Sequence, residues 1–181
     1  MISQAYCATE FSIARFLVPL VAKSQWALFC DGDFMFRADI QELLAQANPR
    51  YAVQVVKHEH HPAEALKMDQ QVQTSYPRKN WSSLMLFNMS HAANRIRLTR
   101  ELVDTEKGIN LHQFCWLKDH EIGEIDESWN WIEGHSPNEI DPKAVHFSRG
   151  TPDMIECDPR WAKEWWNHTT YWKPLCQTTT A

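Results

Sequence analysis

Residues 26–33 read Trp26-Ala27-Leu28-Phe29-Cys30-Asp31-Gly32-Asp33, five apolar residues followed by a glycine between two carboxylates. An apolar run of this length that ends in turn-forming residues is typical of a buried strand. Because open α/β sheets bind ligands at the carboxyl ends of their strands, Asp31 and Asp33 are candidate ligands of a hard cation such as Mg²⁺ or Mn²⁺. Gly32 would let the backbone turn so that both carboxylates converge. The alternative, open at this point, is an ordinary Asp-Gly turn after a strand.

The size and charge of the chain limit the kind of protein it is. At 181 residues it is long enough for a substantial core, and we expect one domain over 1–176 and a disordered tail over 177–181. A formal net charge of -5 disfavours nucleic acid as a partner, because that binding needs clustered Lys and Arg. The five cysteines form no C-x-x-C pair, which is typical of a reducing compartment and predicts a cytoplasmic protein.

Several common classes are disfavoured by the motifs that the sequence lacks. It has neither a Walker loop nor a G-x-G-x-x-G fingerprint, which excludes the usual kinases and dehydrogenases, and it has no G-x-S-x-G elbow of a serine hydrolase. The most apolar stretch, 11–22, is short and is interrupted by Arg15 and Pro19. It therefore predicts neither a membrane span nor a signal peptide.

The stretch before the apolar run predicts a helix over residues 9–23 with Thr9 as its N-cap. Its apolar positions recur at helical spacing, and the expected buried stripe comprises Phe11, Ala14, Val18 and Val21. Pro19 should kink this helix or end its first segment, because its ring clashes with a carbonyl one turn earlier. Arg15 lies in the stripe, so its guanidinium either extends outward to solvent or meets an anion.

The remaining chain alternates between strand-like and helix-like segments, which predicts an α/β fold with a parallel or mixed sheet flanked by helices. Asp39 and Thr99 are expected N-caps. Strands are expected over 51–56, 84–87, 122–125 and 144–147, and helices over 39–49, 99–103 and 111–117, with a Trp-rich helix near Trp161, Trp165 and Trp166.

The histidines of the segment 57–62 and His146 are candidate metal ligands. Residues 57–62 contain three histidines, but consecutive residues on an extended chain point apart, and we expect a solvated loop there. His146 closes a predicted strand and is a candidate ligand, although a lone histidine with ordinary hydrogen bonds is the more common case.

Five segments taken together resemble the GT-A glycosyltransferases related to family 8, the group of glycogenin and the bacterial lipopolysaccharide galactosyltransferases. They are 11–19, 27–33, 83–88, 129–130 and 146–147. The resemblance implies a compact, minimal GT-A-like mixed sheet. It further implies that Asp31, Asp33 and His146 hold Mn²⁺, with Mg²⁺ as an alternative, and that the metal binds the diphosphate of a nucleotide sugar. Arg15 corresponds to the family's helix cation that reaches the same diphosphate.

The resemblance also implies the residues that contact donor and acceptor. The family's sugar-contacting N-x-G-V segment aligns with 80–83, and its D-Q-D helix start aligns with 112–114, where His112 replaces the first aspartate. This replacement disfavours a covalent carboxylate mechanism and favours same-face attack with retention, in which Gln113 and Asn130 position hydroxyls. The expected contacts to the nucleotide sugar are Arg15, Asp31, Gly32, Asp33, Lys79, Trp81, Ser82, His112 and Arg149, the last in place of a family lysine.

The expected function is therefore metal-dependent hexosyl transfer from a UDP-sugar to a sugar, lipid or protein acceptor. Two alternatives stay open: a non-catalytic or weakly hydrolysing remnant that binds nucleotide sugars, and a metal-dependent hydrolase. Related proteins carry a further β-α-β portion before the arginine helix, and we expect this chain to lack it. A second subunit could complete the nucleotide pocket, which predicts a homodimer.

Overall fold

The computed structural model describes residues 11–58, 77–155 and 157–177, with side chains described up to residue 169. Its strands form two sheets. The four-stranded sheet has the order β1-β4-β3-β5, from β1 Trp26–Cys30, β3 Val53–Val55, β4 Leu84–Asn88 and β5 Ile122–Glu124. The three-stranded sheet has the order β2-β7-β6, from β2 Phe34–Phe36, β6 Trp131–Ile132 and β7 Ala144–His146.

Both sheets are mixed. β4 is antiparallel to β1 and to β3, while β3 and β5 are parallel. In the smaller sheet, β7 is antiparallel to β2 and parallel to β6. The predicted mixed α/β fold is confirmed. β4 is buried along its whole length, as expected for a strand with the sequence Leu-Met-Leu-Phe-Asn in the interior of a sheet.

The helices are mostly short. The α-helices are α1 Phe11–Ala14, α2 Val18–Val21, α3 Ile40–Leu44, α4 Ala92–Ile96, α5 Arg100–Thr105, α6 Gly108–His112 and α7 Pro159–Gln177. Turns of 3₁₀ type cover Arg15–Leu17, Trp81–Ser83, Asp119–Glu121 and Glu127–Asn130. No helix in the described part of the chain has the length and apolarity that crossing a membrane requires. α7 includes Gln177, which the sequence analysis assigned to the tail, and 178–181 lie outside the described residues.

The N-terminal helical segment is interrupted just before Pro19, and it buries a different face from the predicted one. It passes from α1 through a 3₁₀ turn into α2, where Pro19 occupies the first turn and its missing N–H has no intrahelical partner to lose. Ile13 and Phe16 are buried, whereas Phe11 and Val21 are 58% and 71% exposed. The predicted stripe was wrong because the 3₁₀ turn changes the angular step between side chains. The predicted cap Thr9 lies outside the described residues.

Both predicted N-caps are present, but one predicted helix is not. The side chain of Asp39 accepts from the Gln41 amide at 2.9 Å, and that of Thr99 accepts from the Leu102 amide at 3.1 Å, so both predicted N-caps are confirmed. The predicted helix over 111–117 was wrong, because α6 ends at His112. Phe114 follows in the left-handed region with φ of 57°, a conformation that ends a helix.

The tryptophans near the C-terminus hold α7 against the smaller sheet. Trp161 packs edge-on against Trp131 with ring centroids 5.7 Å apart, and Trp165 packs against Phe147 at 5.3 Å. Trp161 and Trp165 are four residues apart and so share one face of the helix. Of the histidine-containing loop 57–62, only Lys57 and His58 belong to the described residues.

Candidate metal centre

The Asp31-Gly32-Asp33 segment connects the two sheets. β1 of the four-stranded sheet ends at Cys30, and β2 of the smaller sheet begins at Phe34. Two backbone hydrogen bonds fix the connection: the Asp31 amide donates to the Ser83 carbonyl at 2.9 Å, and the Phe147 amide donates to the Asp33 carbonyl at 3.0 Å. Each carboxylate is therefore held on a backbone that is anchored to a residue next to a neighbouring strand.

His146 reaches the same place from the smaller sheet. β2 and β7 pair so that His146 lies opposite Phe34, and their rings stack with centroids 4.4 Å apart. His146 is buried, and its Nε2 lies 3.3 Å from Oδ1 of Asp33. One potential ligand atom from each of Asp31, Asp33 and His146 lies within 4.8 Å of the others. The structure thus brings together the three predicted metal ligands.

The residues present fit a divalent cation. Two carboxylates and one imidazole are ligand types that Mn²⁺ and Mg²⁺ accept, with the imidazole favouring Mn²⁺. The Oδ1 atoms of Asp31 and Asp33 are buried and receive no hydrogen bond, although Arg15 Nη2 forms an ion pair with Asp31 Oδ1 at 2.7 Å. Burial raises the pKa of Asp31, assisted by Asp33 and opposed by the charges of Arg15 and His146. A cation would supply a ligand contact to both oxygens, in addition to the ion pair that Asp31 Oδ1 already makes with Arg15.

Arg15 meets an anion, and that anion is Asp31. Its guanidinium donates to Asp31 Oδ2 at 3.2 Å, to the Ser82 carbonyl at 2.8 Å and to the Ser12 carbonyl at 2.9 Å. It also lies over the ring of Phe29, with Cζ 4.9 Å from the centroid. Arg15 is only 7% exposed, so its role in this structure is to hold Asp31 and the turn at Ser82. The sequence alternative of a guanidinium extended to solvent was wrong.

Asn130 connects His146 to Ser83. It is fully buried, and its side-chain amide bonds His146 Nδ1 at 3.0 Å and Ser83 Oγ at 2.9 Å. The sequence analysis expected Asn130 to position a substrate hydroxyl. This geometry does not support such a contact, because both ends of the amide are already bonded to protein groups.

A second polar pair lies beside Arg15. Ser82 Oγ and His112 Nδ1 are 2.6 Å apart, and the His112 ring packs edge-on against Phe16 at 5.2 Å. Burial, reinforced by the nearby charge of Arg15, lowers the pKa of His112 to about 4, so the imidazole is neutral at pH 7. Arg15 and His112 therefore both contact Ser82 in the 3₁₀ turn Trp81–Ser83.

Gln113 directly follows α6, and its backbone carbonyl accepts from Arg78 Nη1 at 2.5 Å. The expected helix start at 112–114 was wrong, since these residues end a helix instead. The side chain of Gln113 is half-buried.

The other predicted donor contacts lie around Trp81, beside Gly134 and at Gly32. Trp81 Nε1 donates to the His58 carbonyl at 3.0 Å, and Lys79 is buried in the adjoining turn. Arg149 lies beside Gly134, with Nη1 3.5 Å from where a Cβ on that glycine would be. Gly32 is exposed and lies outside the left-handed region, and an added Cβ would meet no atom within 4 Å. The expected backbone requirement for glycine at position 32 was therefore wrong.

Sequence reasoning missed the supporting residues of the centre. Asn80 and Ser83 entered the sequence analysis only within the segments that carry the family resemblance. Asn80 has φ of 67°, and asparagine is one of the few non-glycine residues that tolerate this region. An asparagine that precedes a Trp-Ser-Ser turn was the available signal.

No protein-family model matches the chain, but a plant protein is similar to it in sequence. Protein CDI of Arabidopsis thaliana is 48% identical over 151 residues, which cover 80% of this chain and 58% of that protein. The chain therefore spans less than two thirds of this relative's length.

Solved structures match over most of the chain at low sequence identity. The glycosyltransferase GlyE of Streptococcus pneumoniae TIGR4 matches with a TM-score of 0.58 and 14% identity, over 92% of this chain and 44% of that one. The galactosyltransferase LgtC, in complex with donor and acceptor sugar analogues, matches with a TM-score of 0.53 and 10% identity, over 88% and 66%. The bifunctional glycosyltransferase WbbM matches with a TM-score of 0.52 and 16% identity, over 81% and 32%. The chain therefore has the GT-A fold of these glycosyltransferases.

Proposed function

We propose that this protein is a divalent-metal-dependent glycosyltransferase that moves a sugar from a nucleoside diphosphate sugar, specifically a UDP-sugar, to an acceptor hydroxyl. One observation carries the proposal: the chain places Asp31, Asp33 and His146 within 4.8 Å of one another at the junction of two sheets of a GT-A fold. A lone D-x-D segment is a weak signal, but convergence with a buried histidine distant in sequence is far more specific.

Asp31, Asp33 and His146 would hold the cation, with Mn²⁺ favoured by the imidazole. When bound, such an ion neutralises the diphosphate and stabilises the charge that grows on it as the sugar departs. Arg15 contributes by holding Asp31 through an ion pair at 2.7 Å and by adding a fixed positive charge beside the diphosphate. Because the guanidinium is already bonded on several sides, it needs little reorganisation when the donor binds.

The residues around Asp31 and Asp33 favour transfer with retention of configuration. The acceptor would attack the sugar on the same face from which the diphosphate departs. His112, where the family resemblance places an aspartate, is a neutral imidazole with a pKa of about 4 and offers no carboxylate nucleophile. Ser82 is bonded to His112 and anchored by Arg15. The proposal also includes Gly32, Lys79, Trp81 and Arg149 as donor contacts and Gln113 as a residue that orients a hydroxyl.

The test is a transfer assay with purified protein, Mn²⁺, a panel of UDP-hexoses and a panel of sugar acceptors. The proposal predicts UDP release that requires Mn²⁺ and a sugar that appears on the acceptor instead of in water. The variant Asp33→Asn should abolish both. The matched control Asp141→Asn alters a carboxylate that is 88% exposed and paired with Arg37, and it should leave turnover unchanged.

Two results would contradict the proposal. Unchanged turnover in Asp33→Asn would refute the assignment of the site. Metal-dependent binding of UDP without any transfer or hydrolysis across both panels would instead favour a non-catalytic nucleotide-sugar-binding protein.

A further inference from the structure

A buried chain of hydrogen bonds connects the backbone of Asn80 to the imidazole of His146. Ser83 Oγ donates to the Asn80 carbonyl at 2.6 Å, Asn130 Nδ2 donates to Ser83 Oγ at 2.9 Å, and Asn130 Oδ1 lies 3.0 Å from His146 Nδ1. Ser83, Asn130 and His146 are each at most 4% exposed, so water does not compete for these bonds.

The direction of every proton in this chain follows from its first member. The Asn80 carbonyl can only accept, so the single hydroxyl proton of Ser83 is committed to it. Ser83 Oγ must then accept from Asn130, which turns the NH₂ group of the amide toward Ser83 and the carbonyl oxygen toward His146. Because that oxygen has no proton to give, His146 Nδ1 must donate to it.

The series of hydrogen bonds begins at Asn80, whose backbone is held in a tight turn. Asn80 is held at φ of 67°, and its carbonyl also accepts the Ser83 backbone amide at 3.2 Å in the 3₁₀ turn Trp81–Ser83. Arg15 holds the same turn by donating to the Ser82 carbonyl, and the Asp31 amide bonds the Ser83 carbonyl. One turn therefore fixes both a carboxylate of the centre and, through Asn130, its imidazole.

We propose that Ser83 and Asn130 are positioning residues that hold His146 as its Nδ1–H tautomer and so direct the lone pair of Nε2 toward Asp31 and Asp33. This inference rests on the proposed function in one respect, namely that a cation binds there. The alternative tautomer would present a proton to the cation and could not act as a ligand. In the structure, Asp33 Oδ1 lies 3.3 Å from Nε2, which places this nitrogen beside the two carboxylates.

The consequence for metal binding is measurable. Partners that fix the orientation and tautomer of a metal-binding histidine typically contribute about 10- to 100-fold in metal affinity. Without Asn130 Oδ1, nothing in the described surroundings of Nδ1 commits the proton to that nitrogen. Part of the population would then carry its proton on Nε2 and could not ligate the cation.

The direct experiment is ¹⁵N NMR of the metal-free protein at about pH 8, where an ordinary histidine is neutral. The two imidazole nitrogens have different shifts in the two tautomers, so the His146 signals report the tautomer without any activity. Wild type should show Nδ1–H. Asn130→Leu should give a mixture of tautomers and bind Mn²⁺ about 10- to 100-fold more weakly.

Further variants separate this role from general destabilisation. Asn130→Asp keeps an oxygen acceptor toward Nδ1 and should retain the Nδ1–H signals. Ser83→Ala removes only the hydroxyl that orients the amide, so it should also give a mixture, and it keeps the proposal testable if Asn130→Leu fails to fold. Asn94→Leu is the matched control, because Asn94 is another buried amide, bonded to Ala52, Asn88 and Trp116 instead. It should leave the His146 signals and Mn²⁺ affinity unchanged.

The outcomes distinguish this inference from the proposed function. Nε2–H signals in the wild type, or Nδ1–H signals that persist unchanged in both Asn130→Leu and Ser83→Ala, would overturn the positioning role. Nδ1–H signals in a wild-type protein that binds no Mn²⁺ would support the hydrogen-bond assignment and would refute the proposed metal centre.

Discussion

Replacing Arg15 by methionine should destabilise the protein strongly in the absence of metal. Methionine keeps most of the length of the apolar stem but removes the guanidinium, which pairs with Asp31 and lies over the ring of Phe29. The side chains of Arg15 and Asp31 are 8% and 19% exposed, so the pair is largely but not completely shielded from water.

The size of the effect follows from this burial. Breaking a fully buried ion pair on one side costs about 3 to 5 kcal/mol, and the residual exposure of Asp31 places the loss at the lower end. The Ser82 carbonyl also loses a charged donor, which adds about 1 kcal/mol. We therefore expect a loss of about 3 to 4 kcal/mol in the free energy of unfolding, equivalent to a fall in Tm of about 6 to 16 °C for a domain of this size.

Urea unfolding of wild type and Arg15→Met, each with a chelator and then with saturating Mn²⁺, measures this difference. The cation would replace part of the lost positive charge beside Asp31, so the difference between the two proteins should shrink with Mn²⁺. Arg100→Met, which breaks an exposed pair with Asp104 within one helix, is the control and should cost less than about 1 kcal/mol. A loss in Arg15→Met as small as that of the control would refute the reasoning.

Two further predictions concern stability. Gly123→Ala should lower the free energy of unfolding by about 1 to 3 kcal/mol in urea, because the added Cβ would clash with the ring of Tyr51. In the control Gly32→Ala, the added Cβ meets no atom within 4 Å, so the stability should not change. Equal losses in the two variants would contradict the described packing around Gly123. The pKa of His112, lowered from 6.5 to about 4, means that the unfolded chain takes up a proton before the native state does. Stability should therefore be full above pH 6.5 and fall by about 2 to 4 kcal/mol as the pH decreases to about 4, and His112→Gln should remove that part of the pH dependence in chemical unfolding measured across this range.

Sequence patterns predicted the parts of the site that depend on local order. The apolar run before Asp31 and the strand that ends at His146 were correctly placed, because each is set by a few neighbouring residues. The N-caps Asp39 and Thr99 were found for the same reason. Local patterns do not show which sheet each strand joins, and here β1 and β7 lie in different sheets that meet at the acidic segment.

The supporting roles of Ser83 and Asn130 escaped prediction because the two residues are distant in sequence. Asn130 bonds Ser83, which lies 47 residues earlier, and a polar residue between two tryptophans gives no indication of that partner. The buried face of the N-terminal segment was misassigned because regular helical spacing was assumed through Arg15–Leu17, where the helix tightens to a 3₁₀ turn.

The most direct test of the metal centre is calorimetric titration of UDP into the protein with Mn²⁺ present and again with the metal chelated. The account predicts saturable binding with Mn²⁺, none with chelator, and loss of binding in Asp33→Asn but not in Asp141→Asn. Binding of equal strength with and without metal, or no binding in either condition, would contradict the claim that Asp31, Asp33 and His146 form the site for a metal-bound diphosphate.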